Sequence, residues 1–118
     1  MTATKTTIAD LVEQVVVLAQ AAPDQRAVRA DLYDRQAPHV LGGKPNTMIA
    51  EALQLGAALE KSYHYNTSTT AELLQSMHYR WATDGDMRRV AWLDDVLAAE
   101  DAGNTRRDAI RQAGPVPR

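Results

Sequence analysis

Apolar residues recur at three- and four-residue spacing through most of this chain, and nowhere do they alternate with polar ones over the length of a strand. Only a helix gathers residues so spaced onto one face, so the pattern commits the chain to packed helices. Ile8, Leu11, Val12, Val15, Leu18, Ala19 and Ala22 form the clearest stripe, and Thr7 with Asp10 three positions on is spaced as a capping box. Val16 and Val17 widen that stripe, which predicts a first helix central in the core.

Pro23 stops this helix, and Asp24 is positioned to cap a second running to about Gln36, with Val28 and Leu32 inward and Arg26, Arg29, Asp31, Asp34 and Arg35 toward water. Pro38, Gly42, Gly43 and Pro45 read as a loop. From a cap at Asn46 or Thr47, a third helix is expected to reach Tyr63. Ile49, Leu53, Gly56 and Tyr63 share one line, Met48, Ala52, Leu55 and Leu59 lie beside it, and Gly56 marks a helix crossing. The fourth begins with the box Thr69 and Glu72, carries Leu73, Leu74, Met77 and Trp81 inward, and ends at Asp84 and Gly85. Asp84 or Asp86 caps a fifth, with Met87, Val90, Leu93 and Leu97 on one side, which stops near Gly103. Thr105 with Asp108 opens a short last helix to Ala113. The expected fold is all-α, a compact bundle of five to six helices without a sheet and with largely antiparallel neighbours, in which Leu11, Val15, Leu53, Leu74 and Leu97 are buried. The domain is expected to cover residues 1–113, and residues 114–118, with Gly114, Pro115 and Pro117, a flexible tail.

The chain has 118 residues, the size of one domain, and no apolar run approaches the ~20 residues of a membrane span. With no cysteine there is neither a disulfide nor a thiolate nucleophile nor a Cys-based metal site, and the amino-terminal residues lack a secretory pattern. A cytoplasmic setting and no membrane association are the expectation.

A net charge of -2 gives no overall attraction to nucleic acid. Locally, residues 104–118 hold four arginines against one aspartate, and residues 84–101 hold six acids against two arginines. The fourth and fifth helices, at 70–102, have the length of a helix-turn-helix unit, so Arg88, Arg89, Arg106, Arg107 and Arg111 are the candidate nucleic-acid residues. Asp94, Asp95, Glu100 and Asp101 load the would-be recognition helix with charge that phosphate repels, which favours an ordinary helical hairpin.

No catalytic constellation is legible. Ser62, Ser68 and Ser76 stand outside any nucleophile elbow, Gly42-Gly43-Lys44 follows no strand, and Asp94 and Asp95 point about 100° apart on a helix. Glu60 and His64 are one turn apart, but the remaining ligands of a metal site are missing. Neither a cofactor nor a metal is expected. Tyr and Trp dominate interface energetics, and they cluster here with histidines at Tyr63, His64, Tyr65 and at His78, Tyr79, Trp81. In a simple hairpin these clusters lie at opposite ends, and only crossed packing joins them. The expected function is a small protein-protein interaction module, self-associating or partner-binding, with Tyr65, His78 and Tyr79 as anchors and Asp94 and Asp95 as an acidic rim. A DNA-binding regulator is the second expectation.

Overall fold

The computed structural model describes residues 6–28 and 37–117, and its described part is mostly helical. In chain order the elements are α1 (Ile8–Ala21), the strands β1 (Val40–Leu41) and β2 (Lys44–Pro45), then α2 (Met48–Ala52), α3 (Ala57–Glu60), α4 (Tyr63–Asn66), α5 (Thr70–Ser76), α6 (Asp84–Asp101) and α7 (Arg106–Ala113). α6 is the central element, contacting α1, α2, α5 and α7. It buries Leu97 and also Val90, Trp92, Leu93 and Val96, and these last four share one core with Leu11, Val12 and Val15 of α1, Met48 and Ile49 of α2, and Leu73 and Leu74 of α5.

Thr7 and Asp10 cap α1 as a reciprocal box, with Thr7 N–H donating to Asp10 and Asp10 N–H to Thr7 Oγ1. α1 packs against α2, α6 and α7 and buries Ile8, Leu11, Val12, Val15 and Ala19, but the widened part of its stripe is not covered by the described residues: Val16 is half-buried and Val17 is 52% exposed.

The helix expected from Asp24 does not start there. Residues 25–28 form no helix, and their backbone is engaged elsewhere: the Pro23 and Gln25 carbonyls accept from Arg107 and Arg106 N–H at the start of α7, and Val28 exchanges two hydrogen bonds with Asn46. A helix capped at Asp24 would draw the Gln25 carbonyl and both Val28 groups into its own ladder. The remainder of that expected helix, 29–36, lies outside the described residues, as does the side chain of Tyr63.

The expected absence of a sheet needs correction. β1 and β2 pair antiparallel, Val40 with Pro45 and Leu41 with Lys44, across Gly42 (φ 62°) and Gly43 (φ 77°). Two consecutive positive φ angles make the tight turn whose twist suits a hairpin, and Gly-Gly permits both. Both turn N–H groups donate to the Glu60 carboxylate, at 2.8 and 3.0 Å. Glu60 thus closes the hairpin while His64 lies 3.9 Å from Glu72, and the two do not share a site.

The third helix is broken into α2, α3 and α4, and Leu53 is half-buried rather than buried. α2 ends in a Schellman motif, with Leu55 N–H to Ala50 C=O, Gln54 N–H to Glu51 C=O, and Gln54 in the left-handed region at φ 56°. Gly56 is the N-cap of α3 and marks no helix crossing. α5 opens with the Thr69 and Glu72 box but stops after seven residues in a second Schellman motif, with His78 left-handed at φ 64°. Trp81 therefore lies beyond the helix. α6 is capped by Thr83, whose hydroxyl accepts from Asp86 N–H, and Met87, expected inward, is 52% exposed. Thr105 caps α7 at the position the sequence predicts.

Candidate functional site

Shortness is what brings the two aromatic clusters together. α5 has seven residues, about 10 Å of helix, and ends where the backbone turns sharply at His78. On one side of it, His64, Tyr65, Glu72, Gln75 and Ser76 line a shallow groove of about 300 Å³, and on the other Gln75, His78, Tyr79, Arg80 and Trp81 line one of about 360 Å³. Gln75 borders both, so the two grooves adjoin at this residue. Tyr65 is 41% exposed and meets His64 edge-on, with ring centroids 5.0 Å apart. Tyr79 and Trp81 rest their inner sides on the hydrophobic core, and burial pushes the Tyr79 hydroxyl above its ordinary range. His78 and Arg80 are exposed.

The acidic candidates lie elsewhere. Asp94 is half-buried, and its Oδ1 accepts from Thr70 N–H at 2.6 Å and from Ala71 N–H at 3.3 Å, at the end of α5 opposite Gln75 and Ser76. Burial raises its pKa, helped by the Asp95 charge and opposed by those donors. Asp95 is exposed.

Most of the arginines considered for nucleic acid are paired. Arg89 meets Asp86 at 2.9 Å, Arg107 meets Asp24, and Arg111 meets Asp108 at 2.5 Å. Arg106 is 3% exposed and bonded to Glu51 at 2.5 Å, so a phosphate reaches it only if the fold opens. Arg88 is exposed. The α5-to-α6 connection has seven residues, 77–83, longer than the three or four of a helix-turn-helix.

A buried polar network ties α2, α6, α7 and the hairpin region together. Both carboxylate oxygens of Glu100 accept from Met48 N–H, at 3.3 and 3.2 Å, and burial pushes this acid up to about 7 against the pull of Met48 and Arg106. Asp101 accepts from Ala37 N–H at 2.9 Å. His39, 1% exposed, places Nε2 2.8 Å from the Ser68 carbonyl and Nδ1 2.9 Å from Thr47 Oγ1. A carbonyl only accepts, so Nε2 carries the proton and the neutral ring accepts from the threonine hydroxyl. Burial lowers the pKa of this ring and keeps it neutral. Asn66 completes the tie by bonding Val40 N–H and C=O. No buried side-chain polar atom among the described residues lacks a partner, so this network is a structural tie rather than a cavity awaiting a ligand.

Sequence reasoning missed Gln75 and Arg80, since neither belongs to a cluster or a motif, and the break of α5 beside them carried no glycine. Comparison with protein-family models, curated proteins and solved structures gave no match for the chain.

Proposed function

We propose that the chain is a small non-enzymatic interaction module that holds a protein partner on the face shared by α4, α5 and residues 77–81. The observation that carries this reading is the position of Gln75, which joins the exposed Tyr65 and His64 to His78, Tyr79, Arg80 and Trp81 in one surface. Rings held rigidly by the core beneath them give large contact area at low entropic cost, and the surrounding amide, guanidinium and imidazole groups supply orientation. Asp95 is the exposed acid of the expected rim, whereas Asp94 serves the start of α5.

The test is capture of the partner from source cells with the unaltered chain and with Tyr65→Ala combined with Gln75→Arg, both at exposed positions. The double variant is expected to remain folded and to lose more than about 2 kcal/mol of affinity for the captured protein. Equal capture by both forms contradicts the reading.

A further inference from the structure

α1 carries a second apolar surface that the described residues leave uncovered. Ala9, Val12, Glu13, Val16 and Val17 line one wall of a groove of about 680 Å³, with Arg89, Val116 and Pro117 opposite, and a further 250 Å³ depression continues from Val16 through Ala19 to Pro23 and Ile110, edged by Gln20 and by Arg107, which Asp24 already engages. The two share Val16, so the apolar strip runs most of the 14-residue length of α1, about 21 Å. Val17 is 52% and Val116 37% exposed. The wall opposite is fixed, because Trp92 Nε1–H donates to the Gly114 carbonyl at 3.2 Å where the chain leaves α7.

We infer that a second copy of this chain docks on this groove, giving a two-fold dimer in which Glu13 of each copy faces Arg89 of the partner subunit. The charges decide the occupant. One acid and one base border the same apolar groove, and a two-fold axis through it sets each opposite its complement, whereas an acidic or a basic partner satisfies only one of them. Arg89 has donors to give, since Asp86 engages its Nη1 and a guanidinium carries five N–H groups. Glu13 is exposed. The face lies apart from the aromatic surface, so dimerisation and partner capture are separate properties.

Sedimentation equilibrium over a wide concentration range tests this, with circular dichroism confirming that each variant is folded. The unaltered chain is expected to dimerise reversibly, and Val17→Glu to raise the dissociation constant by about tenfold or more. Glu13→Arg alone and Arg89→Glu alone are each expected to sediment as monomers, because each sets like charges together twice across the axis. Mixed in equal amounts they are expected to form a heterodimer, in which both contacts become complementary. Tyr65→Ala with Gln75→Arg is expected to leave the dimer intact. A monomer at every concentration, a dimer insensitive to Val17→Glu, or a mixture of the charge variants that stays monomeric overturns the inference.

Discussion

Glu100 and His39 sit in one buried network yet answer pH in opposite directions. Glu100 is raised from 4.5 to about 7 on folding, so the folded protein holds a proton the unfolded chain has released. Its contribution is fully present below about pH 4.5 and is lost as pH rises through 7, a change of about 3 kcal/mol. His39 is lowered from 6.5, so its contribution is present above pH 6.5 and is lost as pH falls through its lower folded value. Urea unfolding between pH 4.5 and 8 separates the two. Glu100→Gln, the neutral isostere, is predicted to match the unaltered chain near pH 4.5 and to exceed it by up to about 3 kcal/mol at pH 8, leaving the rise due to His39 exposed. An identical pH profile in both proteins contradicts the assignment. His78 gives a second residue-level prediction. His78→Gly relieves the left-handed strain and is expected to raise stability by about 1 kcal/mol in thermal unfolding while weakening partner capture. A loss of stability shows that the imidazole holds the fold rather than serving the surface.

At the scale of elements, what was legible and what was not follows from how helices begin and end. Starts are written in side chains: Thr7 with Asp10, Thr69 with Glu72, and Thr105 cap helices where the sequence predicts, because the hydroxyl that accepts the N–H is itself the readable sign. Ends are written in backbone, and only glycine or proline advertises them. Gly103, at φ 93°, closes α6 in the same hydrogen-bonding motif that Gln54 and His78 use to close α2 and α5, and only the glycine was readable. Three unannounced ends, at Gln54, after Glu60 and at His78, turned one long expected helix into three short ones and moved Trp81 out of a helix, and the grooves beside the two aromatic clusters thereby adjoin at Gln75. The region after Pro23 misled for another reason. Its helical composition was overridden by long-range bonds to α7 and Asn46, which no local pattern encodes. The joint between α5 and α6 includes two such bonds, from Thr70 and Ala71 N–H to Asp94. Asp94→Ala leaves the buried Thr70 N–H without its acceptor and is expected to cost about 1–3 kcal/mol in chemical unfolding. Thr69→Ala is expected to cost about 1 kcal/mol. A neutral Asp94→Ala result contradicts the part assigned to this carboxylate at the start of α5.

For the whole molecule, α6 is the hub, and among the described residues the core it organises leaves two faces uncovered, one aromatic and polar around Gln75 and one apolar along α1. The hub explains where truncation is costly. Leu74→Ala at a fully buried site is expected to cost about 2–5 kcal/mol, and Leu53→Ala at a half-buried one distinctly less. Arg106→Ala, which removes a buried guanidinium and its bond to the partly exposed Glu51, is expected to cost about 1–3 kcal/mol. Equal costs for Leu53 and Leu74 in urea unfolding contradict this placement of the core. The central claim, that the face around Gln75 is where a partner protein binds, is tested most directly by photo-crosslinking in source cells, with the photoreactive residue at Tyr65 or Gln75 and a control at the exposed Ala98 of α6. The account predicts one discrete protein adduct shared by positions 65 and 75 and absent at 98. No adduct at 65 and 75, or the same adduct at all three positions, contradicts it.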